Sequence, residues 1–292
     1  MSRNTPKMDA QPILTRPSEV RALLAQLDFR PARILGQNFL IDRNILNILL
    51  READVQPDDA VLEVGPGLGV LTAALLDTVK TVTAVEKDKR LAAYLRERFA
   101  DAPSLRLIQA DILDCDLAAL LAAPETKLVA NLPYAIAARL LVELTALTTP
   151  PPCIVVTIQR EVAERLTATP GMKDYGLLAI LLQRLYDIQT VKHVTPSCFW
   201  PPPEVQSSIV KLTRRAHPLG GTATDAAALR SLVRHAFSQR RKTLGRSLRG
   251  FLVDPIATLK AADIPPTARA EEIPPEKWVT LSTAPQLPPP VL

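Results

Sequence analysis

Asn131-Leu132-Pro133-Tyr134 follows the apolar run Lys127-Leu128-Val129-Ala130. This order of residue types can grip an exocyclic amino group. The Asn131 side-chain oxygen and the Leu132 backbone carbonyl can each accept one N–H. Pro133 stiffens the turn that aims them. Tyr134 offers a flat face on which a base can stack. An adenine N6 held by two acceptors keeps less of its lone pair in the ring and becomes a better nucleophile. A four-residue turn of this kind also suits a plain strand-end loop, so the reading depends on what precedes it.

Upstream, Val61-Leu62-Glu63-Val64-Gly65-Pro66-Gly67-Leu68-Gly69 leaves a predicted strand and enters a predicted helix. Glycines permit a tight turn and close approach of backbone to a ligand. The spacing is G-x-G-x-G with an acid, Glu63, just before it, whereas the dinucleotide fingerprint is G-x-G-x-x-G. The difference favours a nucleoside ligand without a pyrophosphate. Glu86 ends the next strand, 21 positions after Gly65, where an acid can accept both hydroxyls of a ribose. Asp111 ends the third strand, within reach of an adenine amino group, and Asn131 ends the fourth. Glu86 and Asp111 can equally be caps of the helices that follow them. Ligands of open α/β sheets sit at the carboxyl ends of the strands, and four successive strand ends here carry suitable residues.

The elements that must position these residues are legible as a pattern. Strand-like runs span Ala60–Val64, Thr81–Val85, Leu105–Gln109, Leu128–Ala130 and Ile154–Ile158. Helical stretches alternate with them, at Leu71–Leu76, Leu91–Phe99 and Ile136–Leu147. Short apolar strands alternating with helices predict a mostly parallel sheet covered on both faces. Two further β-rich runs, Ile188–Val194 and Ser207–Leu212, flank a Pro-rich stretch without a clear helix, which predicts an antiparallel pair at the sheet edge. Ahead of the sheet, Pro17-Ser18-Glu19 starts a helix with Ser18 as its expected N-cap, and a second helix runs from Asp42 to Arg51. From Thr224 to Leu259 the pattern reads as two or three helices. Pro265-Pro266, Pro274-Pro275 and Pro288-Pro289-Pro290 punctuate the end, and the last residues read as a loose tail.

The expected fold class is therefore α/β, a Rossmann-like sheet with an antiparallel edge strand and a small all-helical C-terminal domain. The expected boundaries are a disordered segment at 1–16, a catalytic domain at 17–215 and a helical domain with a Pro-rich tail at 216–292. The chain has 292 residues, 47% of them hydrophobic, which suffices for a sizeable core. No apolar stretch is long enough to span a bilayer, and Met1 to Gln11 lack an apolar signal core. The expectation is a cytoplasmic protein without a membrane partner, a monomer by default. Cys115, Cys153 and Cys198 are odd in number and far apart, so they fit neither a disulfide framework nor a metal site. Net charge is +5, compatible with a polyanion partner. Its distribution says more: Arg234, Arg240, Arg241, Lys242, Arg246 and Arg249 occur with no acid among them.

The strand-end constellation resembles the class I S-adenosylmethionine methyltransferases. Within them, Gly36-Gln37-Asn38-Phe39-Leu40, Glu63 to Thr72, Asn131 to Tyr134, Phe199 to Val205, and Phe237-Ser238-Gln239-Arg240-Arg241-Lys242-Thr243-Leu244 look like the small-subunit rRNA adenine N6,N6-dimethyltransferases. Glu161 to Leu166 and Lys173-Asp174-Tyr175-Gly176 also fit, and the resemblance runs from about Pro17 to Trp278 in the family's motif order. Two positions depart from it. Family members carry basic residues before the Gly-Gln pair, and Arg33 is the residue that can supply that charge here. Glu204 stands where a Lys is common.

The resemblance implies that S-adenosylmethionine is the cofactor. Asn38 and Leu40 should close over its methionine end with Gln37 beside them. Gly65 and Gly67 should line its back, Glu86 its ribose, Asp111 its adenine, and Asn131 the junction with the substrate. The implied substrate is a pair of adjacent adenosines in a hairpin loop near the 3′ end of 16S rRNA, within the immature 30S subunit. Asn131 and the Leu132 carbonyl would accept the two N6 protons, with Pro133 setting the turn. Tyr134 would stack on one face of the base and Phe199 would cover the other, unless Phe199 is a core aromatic. No general base is evident, since His193, His217 and His235 are scattered. Arg240, Arg241, Lys242 and Arg246 would meet phosphates, fanned around a helix turn, unless they form a solvated face. A large-subunit rRNA adenine methyltransferase of antibiotic-resistance type and a non-catalytic ribosome-assembly factor are the alternatives.

Overall fold

The structure, a computed structural model, describes residues 14, 16–31, 37–123, 125–221 and 225–287. Nine strands occur among them: β1 (Phe39–Leu40), β2 (Ala60–Val64), β3 (Thr81–Glu86), β4 (Leu105–Gln109), β5 (Lys127–Asn131), β6 (Cys153–Gln159), β7 (Tyr186–Val194), β8 (Phe199–Trp200) and β9 (Ser207–Arg214). The helices are α1 (Pro17–Gln26), α2 (Arg43–Ala53), α3 (Val70–Leu76), α4 (Lys89–Arg98), α5 (Leu117–Leu120), α6 (Ala137–Leu144), α7 (Arg160–Thr167), α8 (Leu177–Leu185), α9 (Ala226–Ser238), α10 (Leu244–Ser247), α11 (Pro255–Ala261) and α12 (Pro275–Ser282).

Seven strands form one sheet in the order β4-β3-β2-β5-β6-β9-β7. The chain builds β2, β3 and β4 outward in one direction, then crosses back to add β5 and β6 on the other side. That reversal opens a crevice between the carboxyl ends of β2 and β5, the usual ligand site of such sheets. Successive residues of each strand face opposite ways, and the core divides accordingly. Val61, Val129, Val155 and Ile209 pack with Leu24, Leu49 and Leu75 from α1, α2 and α3. Leu62, Leu128, Val156 and Val210 pack with Leu140 and Leu181 from α6 and α8. Burial on both faces is why these strands read as continuous apolar runs.

The β7 and β9 pair is antiparallel, as expected, but the reversed strand is not at the edge. β9 is antiparallel to both β6 and β7, so it lies between them and β7 forms the rim. Four consecutive buried residues, Ser207 to Val210, suit an interior position. A separate two-stranded pair joins β1 to β8, with Phe39 opposite Trp200 and Leu40 opposite Phe199.

Ser18 does not cap α1. The helix begins at Pro17 with Arg16 as N-cap and no side-chain cap. Proline at the first helical position has no N–H to satisfy, so the start needs no capping hydroxyl there. Asp42 does cap α2, accepting from the Asn44 and Ile45 N–H groups at 2.8 and 3.0 Å. Residues 1–13, Arg33 and Gly36 lie outside the described residues, and so do the expectations placed on them.

The C-terminal helices share the α8 side of the core. Leu229, Leu232, Leu259 and Trp278 join one cluster with Leu178 and Leu182. The Trp278 indole and the Tyr175 hydroxyl both donate to the Ile273 carbonyl, at 3.1 and 2.7 Å. The last residues, 288–292, lie outside the described residues, and so does the loose-tail reading, while the chain up to 287 is packed. Pro275 starts α12, Gln286 Nε2 donates to the Ala228 carbonyl at 3.1 Å, and the Leu287 N–H donates to the Phe251 carbonyl at 2.8 Å. A double proline reads as a breaker, yet the second one is well placed to open a helix.

Candidate active site

The crevice between β2 and β5 is a cleft of about 170 Å³. Gln37, Asn38, Leu40, Gly65, Gly67, Glu86, Asp111 and Asn131 all line it. These residues span almost a hundred positions of chain, and the carboxyl ends of β2, β3, β4 and β5 bring them together with the segment entering β1.

The glycine loop is shaped by its protein neighbours. Gly65 has φ +70°, and a Cβ there would lie 2.8 Å from Pro133 Cγ. Gly67 has φ +59°, and its Cβ would lie 2.9 Å from the Phe39 ring. The loop thus nests against the Asn-Leu-Pro-Tyr turn on one side and the N-terminal motif on the other. An L-residue would be strained by the positive φ as well as by the lack of space.

Charge in the cleft is arranged in three ways. Glu63, at 1% exposure, accepts from Thr72 Oγ1 at 2.6 Å. Burial pushes its carboxyl up to about 8 against the pull of that hydrogen bond, helped by the neighbouring Glu86. Glu86 accepts from the Gly67 N–H at 3.1 Å and the Asp88 N–H at 2.8 Å, one on each oxygen. Burial raises it too, against the pull of the Asp88, Gly67 and Lys87 backbone N–H groups. Asp111 behaves oppositely: the Lys87 ammonium, donating at 2.8 Å, and the Leu113 N–H, at 3.0 Å, hold it below the usual carboxylate range. Asp111 is therefore also the cap of a short 3₁₀ turn, Ile112–Asp114. Glu86 caps no helix; Asp88 caps α4. Sequence reasoning misses Lys87, because only the fold places it beside Asp111.

Asn131 carries the most informative geometry. Its Nδ2 donates to the Asn38 carbonyl at 3.0 Å. A carbonyl can only accept, so this bond fixes the amide's orientation. The other end, Oδ1, is buried without a hydrogen-bond partner. A buried acceptor left unpaired is costly and is expected to meet a donor in the working state. Leu132 is buried, and its N–H donates to the Thr157 carbonyl in β6 at 3.1 Å. Tyr134 is half-buried, with its hydroxyl hydrogen-bonded to Ser207 Oγ, and burial raises its pKa.

Two expectations need correction. Phe199 is 1% exposed, within the cluster that contains Leu40 and Ile209, and does not line the cleft. Pairing of β8 with β1 turns its ring into the core, so it does not present a face to a base in this arrangement. Arg240 is not a free cation. Its Nη2 donates to the Lys173 carbonyl at 2.9 Å and meets Glu271 at 3.3 Å, and its guanidinium sits 5.7 Å from the Phe237 ring centre. Residues 239–242 form a turn between α9 and α10, not a helix turn. Arg241 and Lys242 remain exposed on it, and Arg234 of α9, Arg246 of α10 and Arg249 beyond it are exposed as well. His193 and His235 serve as links, to Ser208 Oγ at 3.0 Å and the Ser247 carbonyl at 2.8 Å.

The donor set suits a nucleoside: two carboxylates at or just past strand ends, a glycine loop, and an orphaned amide oxygen. Among the described residues no helix is long and apolar enough to cross a membrane.

Residues 29–286 match the family model for ribosomal RNA adenine dimethylases. A ribosomal RNA small subunit methyltransferase A from Opitutus terrae is 42% identical over 275 residues, covering 91% of this chain and 97% of that protein. One from Jannaschia sp. is 44% identical over 268 residues, covering 90% and 92%. A crystal structure of a dimethyladenosine transferase from Plasmodium falciparum superposes with a TM-score of 0.71 at 25% identity, covering 83% of this chain and 95% of that one. The 23S rRNA methyltransferase ErmE superposes with a TM-score of 0.61 at 30% identity, covering 84% and 98%.

Proposed function

The chain belongs to the ribosomal RNA adenine dimethylase family, and from that premise we propose that it dimethylates N6 of two adjacent adenosines in a hairpin loop near the 3′ end of 16S rRNA, within the immature 30S subunit. It is an S-adenosylmethionine-dependent rRNA methyltransferase of class I fold. The cofactor supplies a methyl group on a sulfonium, which is already a good leaving group. The residues of this chain therefore have to bind, orient and desolvate rather than activate strongly.

The observation that carries the reading is Asn131 Oδ1, buried, unpaired and held in direction by the Asn38 carbonyl. Asn131 Oδ1 and the Leu132 carbonyl accept the two N6 protons, and Pro133 sets the angle between them. Tyr134 stacks on one face of the adenine. After the first methylation a single N6 proton remains, and one acceptor suffices to orient it. No His lines the cleft among the described residues, and the surplus N6 proton can pass to water after transfer. Glu86 takes the ribose hydroxyls, Asp111 the cofactor adenine, and Gln37, Asn38 and Leu40 cover the amino-acid end.

Taking the target adenine out of its stack costs a few kcal/mol, less in a loop. Exposed Arg241, Lys242 and Arg246 offset part of that by meeting phosphates. On this reading residues 17–215 are the catalytic domain and 216–292 the rRNA-binding helices, in a cytoplasmic monomer. The likeness to ErmE supports a second reading, methylation of large-subunit rRNA. Labelled S-adenosylmethionine with unmethylated small or large subunits, followed by nucleoside mass analysis, separates them. Dimethyladenosine in small-subunit rRNA is the expected result. Label in large-subunit rRNA alone would replace it with the second reading. Cofactor binding without transfer to either would point to an assembly factor.

A further inference from the structure

We infer that Ser207 is a positioning residue, and that the reversed strand β9 exists at this point of the sheet to hold the ring of Tyr134 in place. The inference rests on the reading of Tyr134 as the surface on which the target base stacks. Tyr134 lies in the turn after β5, where no strand pairing restrains it. Its hydroxyl reaches across β6 to Ser207 Oγ, 73 positions along the chain.

Ser207 is a fixed anchor. It is 0% exposed and is the first residue of β9. The sheet holds it from both sides, opposite Gln159 of β6 and Val194 of β7. The residue before it is pinned as well: Gln206 accepts from the Arg160 N–H and guanidinium, each at 2.9 Å. A tyrosine ring has two rotatable bonds, and tethering its far end to a rigid strand restrains both.

Strand direction explains why the anchor can be there. β9 runs against β6, so its beginning, not its end, lies level with the carboxyl ends of the parallel strands. The chain arrives at Ser207 directly from the β8 segment that pairs with β1. One strand start thus ties the stacking residue to the segment that closes the cleft. Tyr134 is half-buried, so without Ser207 its hydroxyl would sit in a largely dry place with no partner seen in the structure.

The test compares Ser207→Ala, Tyr134→Phe, the double variant and Tyr134→Ala in methyl transfer to unmethylated small subunits, with S-adenosylmethionine affinity measured alongside. Tyr134→Phe breaks the same bond as Ser207→Ala without touching the buried strand, so a folding defect in one does not mask the result. Both single variants should lose roughly 10-fold in kcat, with KM and cofactor affinity unchanged, and the double variant should lose no more than either. Losses that multiply in the double variant, unchanged kcat in both singles, or a defect confined to cofactor affinity would each overturn the role of Ser207. Tyr134→Ala tests the underlying reading separately. If it turns over normally, the stacking role itself falls. If it is dead while Ser207→Ala and Tyr134→Phe are unimpaired, stacking stands and the anchor does not.

Discussion

Asn131 Nδ2 donates to the Asn38 carbonyl at 3.0 Å, joining residues 93 positions apart. This single bond couples the Asn-Leu-Pro-Tyr turn to the segment that enters β1. It also decides which end of the amide is left without a partner. An aspartate here would set two acceptors against the Asn38 carbonyl, so the residue type is dictated by the N-terminal segment as much as by the substrate.

Replacing Asn131 by Ala should therefore lower kcat by about 100-fold or more, the usual loss when an oriented polar group at the reacting atom is removed. Cofactor affinity should change little, because Glu86 and Asp111 are untouched. Single-turnover rates and equilibrium binding of S-adenosylmethionine check both halves. Retained turnover would remove Asn131 from the amino-gripping role.

Gly65 packs against Pro133, and its backbone lies at φ +70°. Gly65→Ala should cost roughly 1–3 kcal/mol in stability and displace the Asn-Leu-Pro-Tyr turn along with the loop. Both cofactor affinity and kcat should fall, as read by titration and by turnover at saturating cofactor. A variant with weakened binding but full kcat would show that loop and turn move independently.

Stability should fall as pH rises through the neutral range. The Glu63 carboxyl moves from its ordinary 4.5 to about 8 on folding. Between those values the folded state holds a proton that the unfolded state has released. The slope of unfolding free energy with pH is then negative, and the contribution present below 4.5 is lost as pH passes 8. Glu63→Gln keeps an acceptor for Thr72 and cannot ionise. Thermal midpoints across that window should decline less in the variant, which should be the more stable protein at the alkaline end. Equal slopes would mean that Glu63 ionises freely in its buried site.

The basic residues from Arg240 to Arg246 should separate by role. Neutralising Arg241, Lys242 and Arg246 should weaken subunit binding and flatten its dependence on salt, by about 0.7–0.9 log units for each phosphate no longer neutralised. Arg240→Ala should leave that slope intact and cost about 1 kcal/mol in stability, since its guanidinium holds Lys173 and Glu271. Binding measured at several salt concentrations, beside thermal unfolding, distinguishes the two. An unchanged slope in the triple variant would assign those charges to a solvated face.

Much of the site is legible in the sequence because Glu86 and Asn131 are the last residues of β3 and β5, and Asp111 follows two positions past β4. A strand buried on both faces is an uninterrupted apolar run, and the polar residue closing it stands out. Asn131 emerges this way, and Glu86 and Asp111 emerge from the alternation of strand and helix, without knowledge of which strands are neighbours. The same reasoning cannot distinguish Phe199 the core residue from Phe199 the cleft residue, since both are an aromatic after a Pro-rich boundary. It also reads Arg240 as one of a cationic set, because an arginine that bonds to distant carbonyls has no local mark.

The sequence by itself determined the alternation of strand and helix, the glycine loop and the chemistry at each strand end. These depend on residues close along the chain: apolar runs, turn formers and the polar residue that follows. Only the tertiary structure decided that β9 is inserted between β6 and β7, that Ser207 meets Tyr134, that Lys87 meets Asp111, and that Asn131 turns its nitrogen to Asn38 and leaves its oxygen unpaired. Each of these rests on hydrogen bonds between side chains or strands far apart in sequence. They form only once the sheet order is set, and strand order leaves no periodicity in the chain to read.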